Sequence, residues 1–220
     1  IQMGLPVARI ELVDAEHIKA FNAYSKLDLK VTPTLFLEFH GTEASAREQA
    51  ETFGAIAGEL GGGPFSWASK EEERQKLWQA RHDAFWATKN LLPGKSETLA
   101  TDVCVPISRL AECVEQTRLD LEANRLYGPM IGHVGDGNFH VVLFCDTNDV
   151  GEMKRVKEAY DRLINRALAM GGTCTGEHGI GSGKRAYLAR EHGPALAYMQ
   201  AIKRAFDPLN IMNPGKNAAI

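Results

Sequence analysis

Apolar positions along this chain follow two rhythms. Alternation marks extended stretches, and recurrence every three to four residues marks helices. Val7 to Val13 alternates around Ile10 and Leu12 and predicts a strand. Asp14 then suits the N-cap of a helix over Glu16 to Lys26, because its carboxylate can accept an unpaired backbone N–H. Thr34 to Phe39 is a second strand, entered through Pro33. Glu43 to Leu60, rich in Ala and Glu, is helical until Gly61-Gly62-Gly63-Pro64 breaks it. Phe65 to Ala68 is a short extended piece. Ser69-Lys70-Glu71-Glu72 fits a capping box, and opens a helix through Leu77, Trp78, Arg81, Phe85 and Trp86 to Lys89.

After the loop Leu92-Pro93-Gly94-Lys95, Ala100 to Val105 is a strand, and Pro106 precedes a helix, capped by Ser108 or by Pro106-Ile107, through Ala111 to Ala123. The apolar runs Met130-Ile131 and Val141 to Phe144 flank a glycine-rich turn. Thr147-Asn148-Asp149 caps a helix from Val150 to Met170 whose stripe holds Val156, Tyr160, Leu163, Ile164 and Leu168. Gly171-Gly172 ends it. Helices over Ala186 to Glu191 and Ala195 to Phe206 precede a turn-rich tail, Asp207 to Lys216. This order predicts an α+β fold. A mostly antiparallel sheet is covered by helices on one face, in a ferredoxin-like type of sandwich.

The glycine-rich turn carries chemistry. In Gly132-His133-Val134-Gly135-Asp136-Gly137-Asn138-Phe139-His140, Asp-Gly between apolar runs signals a hairpin. A two-residue type I′ loop at Asp136-Gly137 sets His133 opposite His140. Opposed residues share a face with Cβ atoms roughly 4.5–5.5 Å apart, which suits two imidazoles on one cation. A second glycine-flanked stretch, Thr173-Cys174-Thr175-Gly176-Glu177-His178-Gly179-Ile180-Gly181, adds a carboxylate and another imidazole. His133, His140 and Glu177 form a two-His, one-carboxylate set with open positions for substrate. His178 stays unligated and free to move a proton. A lone histidine or a glycine-rich turn is commonly structural. Two such clusters in one chain favour a site, because glycine permits close backbone approach. Arg81 shares a helix face with Trp78 and Phe85, so by spacing it either snorkels at the core edge or awaits an anion.

Bulk properties narrow the classes. The 220 residues suffice for one large domain or two small ones. A net charge of −3 does not favour nucleic acid, and 44% apolar with 24% charged residues is ordinary for a globular chain. No apolar run approaches the ~18–20 residues of a membrane span. Cys104, Cys113, Cys145 and Cys174 make no C-x-x-C pair and read as reduced thiols. Gly179 to Arg185 fails as a phosphate loop, having His178 where a glycine is needed and Arg185 where Ser or Thr is needed. The opening Ile1-Gln2-Met3 reads as a connector, and the chain as a piece of a longer protein.

These motifs bring a resemblance. His133 to His140, Gly176 to Gly181 and Asn213-Pro214-Gly215-Lys216 resemble the C-terminal, substrate-side domain of FAD-linked 2-hydroxyacid dehydrogenases. These belong to the vanillyl-alcohol-oxidase-like group. Pro33 to Gly41 and Thr101 to Ser108 extend the likeness toward the D-lactate dehydrogenase type. The resemblance implies a fragment of a larger flavoprotein, with residues 1–205 as substrate domain and residues 206–220 returning to a flavin-binding domain. It implies FAD held mainly by that other domain, and a divalent metal, zinc-like, on His133, His140 and Glu177. His178 would take the hydroxyl proton, and Arg81 would grip the substrate carboxylate. Asn138 would lie against flavin or substrate, and Asn213 would reach the flavin. A small D-2-hydroxy acid would be oxidised, with an electron acceptor downstream and a homodimer among the allowed assemblies. The setting would be bacterial cytoplasm or mitochondrion, with peripheral attachment to the inner membrane as an option. Phe85-Trp86 and Ala100-Thr101 stand where members handling a second carboxylate carry polar or basic residues, which favours D-lactate. Two other classes compete: a self-contained metal-dependent hydrolase on the same three ligands, and a non-catalytic interaction domain with structural histidines.

Overall fold

The run from Asn138 to Cys145 is buried at every residue and on both faces, and the remaining strands assemble around it. The computed structural model describes residues 3–68, 70–92, 94–95 and 97–218. Ser69, expected as a helix cap, and Pro93 of the expected loop lie outside the described residues, as do Ile1 and Gln2. In chain order the elements are β1 (Val7–Val13), α1 (Ala15–Ser25), β2 (Thr34–Phe39), α2 (Glu43–Glu59), α3 (Glu71–His82) and α4 (Ala84–Lys89). There follow β3 (Glu97–Ala100), β4 (Val103–Cys104), α5 (Ile107–Ala123), β5 (Met130–Gly132) and β6 (Asn138–Cys145). The chain closes with α6 (Val150–Ala169), α7 (Arg185–His192) and α8 (Ala195–Phe206). Among the described residues no helix is long and apolar enough to cross a membrane.

All strand pairings are antiparallel. The sheet order is β2-β1-β5-β6-β3, with β4 also on β6. The α+β class is therefore as expected, but helices cover both faces rather than one. Phe139, Val141, Leu143 and Cys145 pack under α5 and α6 against Cys113, Val156, Leu163 and Ile164. On the opposite face Val13 and Ile131 pack against Ile18 and Phe21 of α1 and against Ala80, Ala84 and Ala87. The reason is visible in β6. Val141 to Cys145 has no polar alternation, and a continuous apolar run needs cover on both sides. Each large side chain such as Phe139 or Leu143 contributes about 1.5–3 kcal/mol by full burial.

Local signals act as expected at the caps. Asp14 accepts the His17 N–H at 2.8 Å, and its other oxygen accepts Met130 N–H at 2.7 Å, tying α1 to β5. Asp149 accepts Glu152 N–H at 2.9 Å. Two expected elements are split. The helix expected to reach Lys89 breaks at Asp83 into α3 and α4, where the backbone sits at φ −80, ψ 4. The expected strand Ala100 to Val105 is instead β3 and β4, both in one register on β6. At the break Thr101 keeps the ladder intact. Its N–H donates to Val141 O at 2.9 Å, and its hydroxyl oxygen accepts Val141 N–H at 2.8 Å. The Thr101 carbonyl and the Asp102 carboxylate are thereby turned toward the interior of the site.

Candidate functional site

The β5–β6 hairpin carries both expected histidine ligands, in a register displaced from the expected one. Met130 pairs with Val141 and Ile131 with His140, which places His133 across from Asn138. The connection is Val134 to Gly137. Asp136 N–H and Asn138 N–H both donate to His133 O, at 3.0 and 3.3 Å. A type I′ loop needs positive φ at both central residues, and of Asp136 and Gly137 only Gly137, at +80, has it. A Cβ on Gly137 would lie 2.1 Å from Val105 O, so the turn is pressed onto the end of β4. A slip by two residues preserves the face, because side chains alternate with period two. His133 and His140 are thus diagonal neighbours on one face, with ring centroids 6.1 Å apart.

The distant Glu177 meets them. His140 Nε2 lies 3.0 Å and His133 Nε2 3.5 Å from Glu177 Oε1. One ligand atom from each of the three residues falls within 4.8 Å of the others. The back sides of both rings are engaged. His140 Nδ1 donates to Thr101 O at 2.9 Å, and His133 Nδ1 to Glu11 Oε1 at 2.7 Å. A carbonyl only accepts, so the His140 proton is on Nδ1 and its Nε2 presents a lone pair to Glu177. Burial pushes the His140 pKa down, which favours the neutral ring. A neutral nitrogen lone pair and a carboxylate oxygen in contact call for a cation or a proton between them. Carboxylate and carbonyl partners behind imidazoles are what orient histidines toward a metal. The donor set therefore fits a divalent cation.

His178 is half exposed and stacks on His140, with ring centroids 4.9 Å apart and planes 13° apart. It is adjacent to the three candidate ligands and outside their set. Arg81 does not simply snorkel. Its Nε and Nη2 donate to Glu11 Oε2 at 3.1 and 2.8 Å, and Glu11 in turn holds His133. Burial disfavours the charge on Glu11. The His133 hydrogen bond and the Arg81 charge outweigh it and hold the carboxyl below its usual range. The same Glu11 bond raises the His133 pKa. A cavity of about 350 Å³, bounded by Arg9, Glu11, Trp78, Arg81 and His133, opens beside the pair.

Two expected cofactor contacts stand differently. Asn138 is buried, and its amide donates to Asp102 Oδ1 at 2.8 Å and Val103 O at 2.9 Å, so it braces the interior. Asn213 is exposed at φ +50 in the tail, and its carbonyl accepts Lys216 N–H at 3.2 Å. That tail clasps the loop after His178. Asn217 N–H donates to Gly181 O at 2.8 Å, and Arg185 Nη1 to Gly215 O at 3.0 Å.

With this geometry in place, comparison with known proteins decides the family. The family described as FAD linked oxidases, C-terminal domain, matches residues 1–217. The chain belongs to that family. It is 52% identical over 217 residues to a probable mitochondrial D-lactate dehydrogenase of Danio rerio, covering 98% of this chain and 44% of that protein. It is 42% identical over 214 residues to the mitochondrial D-lactate dehydrogenase (cytochrome) of Arabidopsis thaliana, covering 97% and 38%. The glycolate oxidase subunit GlcD of Bacillus subtilis is 34% identical over 215 residues, covering 95% and 44%. This FAD-linked oxidase domain thus spans less than half the length of these relatives. Among solved structures, p-cresol methylhydroxylase with substrate bound superposes with a TM-score of 0.68 at 15% identity, covering 96% of this chain and 46% of that one. That likeness establishes the fold.

Sequence reasoning about the FAD-linked oxidase domain missed Glu11, Thr101, Asp102 and Lys184. Glu11 had a signal: a carboxylate inside an alternating apolar strand. Lys184 sits in the run that fails the phosphate-loop pattern and reads either as an anion-facing backbone or as a connector, and its Nζ reaches Asp102 Oδ2 at 3.2 Å. Thr101 acts through its backbone carbonyl, which leaves no signal in a side-chain pattern.

Proposed function

We propose that this domain is the substrate- and metal-holding part of an FAD-dependent dehydrogenase that oxidises a small D-2-hydroxy acid, D-lactate above others, to the 2-oxo acid. The observation that carries the reading is the contact of His140 Nε2 with Glu177 Oε1 at 3.0 Å, with both histidines braced from behind. The names of the 52% and 42% identical relatives support the substrate class. Phe85-Trp86 and Ala100-Thr101, which offer no cation for a second carboxylate, support a small monocarboxylate.

His133, His140 and Glu177 would hold a divalent metal, zinc by its mixed N/O set. Such a metal, when bound, polarises the substrate hydroxyl and carboxylate oxygens as a Lewis acid. FAD, when bound, accepts the C2 hydride, so the pair of electrons leaves on the cofactor and the hydroxyl proton must go elsewhere. His178 would take that proton, since its ring is exposed and stacks on His140 beside the ligands. Arg81 spends two of its N–H groups on Glu11. Guanidinium has five, and those left over border the cavity, where they would orient the substrate carboxylate.

The segment from residue 206 is read as the part that docks on a flavin-binding domain elsewhere in the full-length protein. Buried Asp207 accepts the N–H groups of Ile211 and Met212, each at 2.9 Å, and shapes the chain into a hook. Phe206, Leu209, Ile211 and Met212 project from that hook into solvent. Asn213 follows them and would reach the flavin, and Asn138, which braces the site from inside, would lie against flavin or substrate. A mitochondrial or cytoplasmic setting follows the relatives.

The test is D-lactate-dependent dye reduction by the full-length enzyme. His178→Ala is expected to lower turnover by about 10²–10⁴-fold with metal content unchanged. Full turnover in that variant would remove His178 as the base. Ester or amide hydrolysis without flavin would instead point to a hydrolase.

A further inference from the structure

One buried carboxylate ties the site together from beneath. Asp102 is 1% exposed and lies where the strand facing β6 is interrupted. Its Oδ1 accepts from Asn138 Nδ2 at 2.8 Å, and its Oδ2 from the Thr175 hydroxyl at 2.7 Å. His178 N–H donates to Oδ2 at 3.0 Å, and Glu177 N–H lies 3.2 Å from both oxygens. Lys184 Nζ donates to the Asp102 carbonyl at 2.8 Å and lies 3.2 Å from Oδ2. Successive backbone N–H groups around an anion form a concave nest. Here the anion belongs to the protein, and the N–H groups belong to the proposed ligand and the proposed base.

We propose that Asp102 is the positioning residue of this site: it grips Glu177 and His178 by their backbone and so sets the distance between ligand and base. The inference rests on the roles proposed for those two residues. Two observations carry it beyond a structural ion pair. Residues 176–179 are all exposed, so burial does little to hold their backbone. Moreover, a Cβ on Gly176 would lie 1.9 Å from Asn138 Nδ2 and 2.9 Å from Asp102 Oδ1. The loop is drawn onto the carboxylate as closely as glycine allows. Lys184 balances the buried charge, and Asn138 fixes the carboxylate relative to the strand that carries His140.

The experiment uses the full-length protein and two readouts besides activity: amide hydrogen exchange, and Co(II) titration followed by its visible absorption. Asp102→Asn is expected to lose exchange protection at residues 177 and 178 while β6 stays protected. Its Co(II) dissociation constant should rise about 10–100-fold, as for removal of a group behind a metal ligand. Thr175→Val removes the hydroxyl that reaches Asp102 Oδ2 at 2.7 Å and Gly179 O at 3.2 Å and leaves every buried charge paired, so it tests the same idea if Asp102→Asn does not fold. Its expected shift is in the same direction and smaller. Wild-type protection at 177 and 178 in either folded variant would overturn the proposal. If the wild-type protein takes up no Co(II), the metal reading falls, and the exchange result still decides the role of Asp102.

Discussion

Glu11 couples an arginine to a histidine, and its removal should act in two directions. In Glu11→Gln the His133 ring loses its charged partner, and the metal dissociation constant is expected to rise about 10-fold, measured by chelator competition at pH 8. The pH dependence should also change. The Glu11 bond raises the His133 pKa, so the metal-free protein holds that proton to higher pH than an ordinary imidazole. Metal must displace it, and apparent affinity should fall as pH drops through that pKa, on the order of tenfold per unit below it. His140, with its pKa lowered by burial, adds no such competition in the same range. Glu11→Gln should move the fall-off to lower pH. Identical profiles for both proteins would mean that the Glu11–His133 bond does not govern metal uptake.

Strands and turns show where glycine and threonine are required. A Cβ on Gly132 would lie 2.5 Å from Asn138 O and from Phe139 Cα, backbone that cannot step aside. Gly132→Ala is expected to cost about 1–3 kcal/mol. At about 2–4 °C per kcal/mol for a domain of this size, thermal unfolding should show it. Thr101→Val leaves Val141 N–H without its hydroxyl partner, for a loss of about 1–3 kcal/mol. The variant keeps the Thr101 carbonyl, so metal binding should weaken only to the extent that loss of the hydroxyl bond shifts that carbonyl away from His140 Nδ1. A stability loss with unchanged metal affinity would confine Thr101 to the ladder. Much at this scale was legible beforehand. β1, β2 and α8 fall on the residues the periodicity predicts, and Asp14 and Asp149 cap as expected. These are short-range signals, carried by neighbours three or four positions apart. The hairpin register was not legible, because the contact of Gly137 with Val105 O helps choose the loop, and no Asp-Gly rule contains it.

For the whole molecule, the hook proposed to dock on a flavin-binding domain carries Leu209 and Ile211 on its surface. Leu209 and Ile211 are exposed, so changing both to Asp should leave the thermal stability of this domain within about 0.5 kcal/mol, as for ordinary surface substitutions. If the hook docks on a flavin domain, D-lactate-dependent dye reduction by the full-length enzyme should fall nonetheless. Undiminished activity would assign the hook no part in assembly.

The sequence alone determined most of the elements, the cap at Asp14, the α+β class and which His, Glu and Arg side chains are candidates, because each depends on residue type and short spacing. Only the tertiary structure decided that helices cover both faces, that His133 and His140 meet on a diagonal, and that Arg81 pairs with Glu11. It alone brought Asp102 beneath a loop 75 residues further along the chain. The physical reason is distance along the chain. A strand's partners, and the charges that meet across a buried face, are selected by packing among segments that the linear pattern does not connect.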